Sequence, residues 1–328
     1  VPDFITNNIS VINFTLINIA LALSIFITLF TGLLSLANAG FMAIGAYTAA
    51  IIATKTDLPL WIGFIVAVIA GTLVAMPFGL LIVRLRHVFL AIATLGFGEI
   101  VRILALNGDK ILRFFSGDQN LVVFNGAEGV TLKYKTPETF LGLPDATWWI
   151  LLYVVVLIYL MAVLQRSRFG RTLASIRLDE SAAGTLGINV VRYKLLAFVL
   201  GAAMASGVGA LSTPIVRVID PRNYVFSRAV DILAFAVLGG MTFWVGPIIG
   251  ATVLTALPEV LRFLREQREV VNGLIIAIAI IYLPRGLADP RFWKSLFKPK
   301  SAPPPPPIQP PESEPAEVKP QESEVRNL

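Results

Sequence analysis

Ionisable residues are rare in the apolar stretches of this chain, and two of them stand three apart. Glu99 and Arg102 fall in an otherwise apolar run from His87 to Leu106. On a helix they share a face and can pair. A charge at the centre of a membrane-crossing helix costs about 2.5–3.5 kcal/mol on insertion scales, so such a pair is either a structural ion pair near a helix end or part of a solute path. Arg228 and Asp231 repeat the spacing. No series of acidic residues suits a proton or sodium relay. The chain has no cysteine and one histidine, His87, which leaves thiolate chemistry, a histidine metal site and a Ser-His-Asp triad without their parts. No G-x-x-x-x-G-K-[ST] phosphate loop occurs. Nothing here hydrolyses ATP, binds a cofactor or makes the chain an enzyme.

The most informative polar segment is basic. From Gln165 to Lys194 it carries Arg166, Arg168, Arg171, Arg177, Arg192 and Lys194. Asp179 suits the cap of a short helix starting near Glu180, and Gly187 suits its stop. Ala182, Ala183 and Leu186 are then expected on one apolar face. Two readings stay open: a helix lying on anionic lipid, or a docking element for a soluble partner.

These residues need elements to hold them. Of the 328 residues, 56% are hydrophobic and 15% charged, with a mean hydropathy of +0.76. Soluble chains carry about 25% charge, so this is the membrane class. Its net charge of +6 fits basic cytoplasmic loops, not nucleic acid. Apolar runs predict segments at Ile9–Leu36, Ala39–Ala53 (spanning or re-entrant), Leu58–Val83 with a kink at Pro77, His87–Leu106, Thr147–Leu164, Tyr193–Val216, Ala229–Leu238, Gly246–Leu261 and Val270–Leu283. The expected fold is an all-α, polytopic membrane bundle of eight or nine spanning or re-entrant helices. Gly201, Ala205 and Gly209, four apart, allow close helix packing or leave room for a solute. The Lys/Arg bias places residues 165–192 inside, 107–146 outside, and the C terminus inside; Arg262, Arg265 and Arg268 then lie outside, against the rule. Residues 1–290 form the membrane domain. From 291 onward a Pro/Glu-rich tail is expected to be disordered. Val1 in place of a start methionine fits a processed or partial N terminus.

Four blocks resemble one family. LSLANAGFMAIGAYTAA (Leu34–Ala50), AIATLGFGEIVR (Ala91–Arg102), SRFGRTLASIRLDESAAGTLGINVVRYKLLAF (Ser167–Phe198) and VLGGMTFWVGPIIGATVLTALPEVLR (Val237–Arg262) resemble, in order and spacing, LivM-type permease subunits of bacterial ABC importers for branched-chain and neutral amino acids. Permeases for urea and short amides are related. The resemblance covers roughly residues 10–290 and implies a second, LivH-like permease subunit, two ATP-binding subunits that hold the ATP and Mg, a periplasmic or extracellular substrate-binding protein, and a multi-pass location in the bacterial plasma membrane. It implies that Arg171, Glu180, Ala182, Ala183 and Gly187 belong to the ATPase-coupling loop; Asn38, Glu99, Arg102, Gly239 and Gly240 are the candidates for the path or its gate. Ser181 separates Glu180 from the alanines, a departure from the common importer pattern of Glu followed directly by Ala-Ala. The stretch Asn125–Gly129 departs from an expected Gly-Gly-x-Asn-Gly. A partner-free channel and an ion-coupled secondary transporter are the other classes; ATP-dependent uptake separates them.

Overall fold

The computed structural model describes residues 9–56, 59–85, 87–116, 124, 126, 129–131, 139–140, 143–260 and 273. The chain divides into Val1–Asp289 and Pro290–Leu328. The second unit, where the tail is expected, lies outside the described residues. So do Arg262, Arg265, Arg268 and, apart from Gly273, the expected segment Val270–Leu283.

In chain order the helices are α1 (Ile9–Phe30), α2 (Asn38–Lys55), α3 (Leu60–Ile82), α4 (His87–Ser116), α5 (Asp145–Arg166), α6 (Arg168–Leu178), α7 (Glu180–Thr185), α8 (Val190–Val216), α9 (Phe226–Gly239) and α10 (Val245–Val260). The strands are two-residue pieces: β1 (Val130–Thr131), β2 (Thr139–Phe140), β3 (Leu143–Pro144) and β4 (Val218–Ile219). The class is all-α. Among the described residues five helices are long and apolar enough to cross a bilayer: α1, α3, most of α4, α5 and α8. α2 has 18 residues, α9 has 14 and α10 has 16. At 1.5 Å per residue these reach about 27, 21 and 24 Å, against a hydrocarbon core of about 30 Å. α2 is one continuous helix and does not turn back on itself.

Several boundaries differ from expectation for local reasons. α1 stops at Phe30 because the chain turns at Gly32 (φ +84°), where the Gly32 amide donates to the Leu29 carbonyl and the Leu33 amide to that of Thr28. That is the paired stop a left-handed glycine permits. α4 runs on through Ser116, so the expected external loop 107–146 begins as helix and ends at Asp145. α3 continues through Pro77. Pro214 lies inside α8 and removes the amide that would bond the Ala210 carbonyl; the Thr213 hydroxyl donates to that carbonyl instead, at 2.8 Å.

α1 and α8 are buried along most of their lengths. α3, α4 and α5 form a rim that exposes Leu73, Leu81, Ile92, Leu152 and Tyr159, as surfaces against lipid do. Contact at the centre is made through small residues. A Cβ at Gly45 of α2 would overlap the Ser206 carbonyl of α8, and one at Gly209 would overlap the Met42 carbonyl. A Cβ at Gly71 of α3 would overlap the Ser206 hydroxyl. The buried residues of α3 include Gly63, Ala67, Gly71, Ala75 and Gly79, one every four positions. Lipid is as apolar as leucine, so packing of this kind, not a hydrophobic drive, brings membrane helices together.

The two ends of the bundle differ. At one, Gly32 lies against Arg177, and Arg177 reaches Met241. At the other, β1 pairs antiparallel with β4, Val130 opposite Ile219 and Thr131 opposite Val218. There the Tyr47 hydroxyl donates to the Ile219 carbonyl at 3.3 Å, and its ring lies near those of Phe124 and Tyr224.

Gly45→Ala is expected to destabilise the purified protein by about 1–3 kcal/mol, the usual cost of overpacking. Gly96→Ala, where an added Cβ meets nothing within 4 Å, is expected to leave it unchanged or slightly more stable. Thermal unfolding in one detergent compares them; equal melting temperatures would contradict the close approach.

Candidate functional site

The connection from α5 to α8 is built from short-range signals. Ser167 caps α6: its hydroxyl accepts from the Gly170 amide at 3.1 Å and donates to the Leu164 carbonyl at 2.6 Å. Gly170 is needed at this elbow, since a Cβ would overlap the Leu164 carbonyl. Arg171 is exposed on α6 and donates to the Arg166 carbonyl at 2.9 Å. Asp179 then caps α7, its carboxylate accepting from the Ser181 and Ala182 amides at 2.8 and 2.9 Å. The stop is again a left-handed glycine. Gly187 (φ +82°) donates to the Gly184 carbonyl, and the Ile188 amide to that of Ala183.

α7 does not present its alanines together. Ala183 is 2% exposed and faces the bundle, whereas Ala182 is exposed and Leu186 is 81% exposed. Neighbouring positions on a helix point about 100° apart, so Ala182 and Leu186, four apart, share the outward face and Ala183 anchors the helix. Leu178, 88% exposed, extends the outward apolar surface. α6, an 11-residue helix, was not expected from the sequence.

Behind α7 lies an ion pair. The Lys194 ammonium, on α8, donates to the Glu180 carboxylate at 2.6 Å; the lysine side chain is 8% exposed and the glutamate 41%. The first residue of α7 is thereby fastened near the start of α8, a helix buried along most of its length.

The same end holds a second fastening. α9 and α10 form a tight hairpin, in which Gly239 lies against Gly246 and Gly250 against Phe235. Gly240 has φ +109°, a conformation other residues rarely adopt. The turn after it is held by side chains from elsewhere. Gln165 donates to the Thr242 carbonyl at 2.7 Å and accepts from the Trp244 amide at 3.4 Å. Arg177 donates to the Met241 carbonyl at 2.7 Å. Nearer its other end the hairpin is tied to α1: Arg228 donates to Asn18 at 2.8 Å, and Asn18 donates to Thr255 at 2.9 Å.

The remaining candidates are scattered. Glu99 and Arg102 pair along α4 through the Arg102 Nε and Nη2 groups. The Glu99 side chain is 48% exposed, and Gly96 and Gly98 beside it face open space. Asn38 is buried and donates to Ser24 of α1 at 2.9 Å. Gly201 and Gly209 press against the backbones of α1 and α2, and Ala205 is buried between helices. Among the described residues no group of three or more His, Cys, Asp or Glu side chains could hold a metal ion.

Residues 7–283 match the family described as branched-chain amino acid transport system / permease component. The chain belongs to that family. It is 33% identical over 300 residues to the high-affinity branched-chain amino acid transport system permease protein LivM of Escherichia coli (strain K12), covering 86% of this chain and 69% of that one. LivM of Salmonella typhimurium is 32% identical over 304 residues, covering 85% and 69%. The permease protein LivH of E. coli is 32% identical over 147 residues, covering 44% and 46%. No solved structure matches. The chain is a multi-pass membrane protein of a permease family, as its apolar helices require.

The sequence reading found α7, its cap and its stop, but missed Lys194, Gln165 and Arg177 as partners. The stripe of small residues on α3 was visible as a four-residue period and was also missed.

Glu180→Gln is expected to destabilise more than Lys194→Met. The first leaves a buried ammonium without a counter-charge, whereas the second leaves a glutamate that water reaches. A full buried-pair penalty is about 3–5 kcal/mol; with Glu180 part-exposed, about 1–2 kcal/mol for Glu180→Gln is expected after screening. Unfolding of the two purified variants gives the order, and the reverse order would contradict it.

Proposed function

We propose that this chain is one permease subunit of an ATP-driven importer that carries branched-chain or other neutral amino acids across the bacterial plasma membrane. The observation that carries the reading is α7: a short, doubly capped helix that turns Ala182 and Leu186 outward beside a basic surface, in a chain of a permease family and with no phosphate loop of its own. A second, LivH-like permease completes the pore; similarity to both LivM and LivH supports this. Two ATP-binding subunits hold the ATP and Mg, one of them docking on α7, and a soluble binding protein delivers substrate to the opposite end.

The end bearing α6 and α7 faces the cytoplasm, in keeping with Arg166, Arg168, Arg171, Arg177, Arg192 and Lys194 there. In this orientation the β1–β4 end faces outward, α2, α9 and α10 cross with the five longer helices, and the C terminus lies inside. The Glu99–Arg102 face of α4 lines the path or meets the second permease, because a half-exposed ion pair in an apolar helix is costly against lipid. A zwitterion with an apolar side chain suits that surface. Asn38, Gly239 and Gly240 act in gating by holding the inner ends of α2 and α9. Arg171, Glu180, Ala183 and Gly187 shape the docking helix, and Ala182 and Leu186 make the contact.

The complex, reconstituted in liposomes with its ATP-binding and binding-protein partners, is expected to take up labelled leucine only with ATP. Ala182→Trp should lower uptake about tenfold, in the range of a lost interface anchor, while the chain still inserts. Uptake without ATP, or unchanged uptake by the variant, would sink the reading; competition by alanine and urea ranks the substrates.

A further inference from the structure

We propose that Gln165 and Arg177 are positioning residues that clamp the α9–α10 turn to the docking segment, so that movement of α6 and α7 moves this hairpin as a gate. The inference rests on the reading of α7 as the ATPase-docking helix. Its carrier is the hydrogen bonding of the turn. At the turn between the two helices the Gly240 amide donates to the Ala236 and Val237 carbonyls and the Gly246 amide to that of Phe243. The Met241 and Thr242 carbonyls and the Trp244 amide are met instead by Arg177 and Gln165, which lie 64 to 79 positions away in the chain. Gln165 is in the last turn of α5 and Arg177 in the last turn of α6, so both ends of the docking segment's first helix are pinned to one turn.

The chain at the turn is suited to transmit motion. Arg177 lies two residues before the Asp179 cap of α7, and a Cβ placed on Gly32, just past α1, would lie 3.6–3.9 Å from it. The hairpin itself is short, closed by glycine contacts, and tied to α1 at the far end through Arg228, Asn18 and Thr255. A rigid hairpin held by polar bonds at both ends turns about one when the other is displaced; hinges of this kind are drawn from element termini. Glutamine suits the task because it donates and accepts at once.

The test uses the full reconstituted importer. Gln165→Ala and Arg177→Ala are each expected to assemble and to hydrolyse ATP within about twofold of the parent, as substitutions off the docking face do. Uptake should fall about tenfold, within the span seen when coupling residues are changed, so more ATP is spent per solute moved. Arg177→Lys, which keeps a donor, should recover part of the loss. An unchanged ratio of ATP to solute in both alanine variants would overturn the proposal. If the parent complex itself shows no ATP-dependent uptake, the functional reading fails instead. A second measurement does not depend on those variants folding. The chain has no cysteine, so Gln165→Cys with Thr242→Cys can be joined by a short bismaleimide. The unlinked variant lacks the Gln165 bonds and is expected to be impaired; a clamp that stays closed through the cycle predicts that linking restores uptake to within about twofold of the parent, and a block on linking, or no recovery, would overturn the clamp.

Discussion

Everything at the two ends of this molecule depends on how closely α2 and α3 approach α8 at Ser206. The Ser206 carbonyl occupies the space a Cβ at Gly45 would take, its side chain fills that of a Cβ at Gly71, and its hydroxyl donates to the Phe41 carbonyl at 3.0 Å. Three helices meet at one small polar residue. A larger residue at any of these positions would push backbones apart, and lipid offers no compensating drive to bring them together again. Gly201 against Ser24 and Gly209 against Met42 extend the seam to α1 and further along α2. α8 thus becomes an axis whose position is fixed along most of its length.

A fixed axis gives meaning to what is attached near its start. Lys194 is buried there, and a buried ammonium needs a partner. Glu180 supplies it from the first residue of α7. α7 is therefore held by its cap, by Ala183 and by one charge-assisted bond, while Ala182 and Leu186 stay outward. The buried alanine and the exposed one do different work although they are adjacent in sequence.

What the sequence made legible is what local chemistry decides. Asp179 as a cap and Gly187 as a stop were readable because both act within a few residues. The four-residue spacing in α8 was readable because a helix turns that period into a stripe, though spacing alone could not choose between packing and path. The facing of Ala183 was misread because amphipathicity assigns a face, and only tertiary contact says which way the face turns. The Glu180–Lys194 and Gln165–Thr242 contacts were beyond reach, since nothing in a string of residues says that position 165 meets position 242. The extension of α4 past Leu106 was lost to polarity: Asn107, Asp109 and Lys110 read as loop, yet Asp109 is nine-tenths buried and accepts from the Phe124 amide at 2.8 Å.

The fastenings also divide the bundle by stiffness. Backbone-to-backbone seams resist displacement because any movement opens a gap or a clash in a packed interior. Side-chain hydrogen bonds to a turn tolerate rotation while keeping their ends together. α1, α2, α3 and α8 are joined by the first kind; the α9–α10 hairpin packs Ile232, Phe235, Ala251 and Leu254 into the same core, and only its turn is held by the second. A permease that alternates between two openings needs one part that stays and one that moves. On the proposed function the immobile part is the Ser206 seam, and the α9–α10 turn, held by side-chain bonds, is the part whose attachments permit displacement.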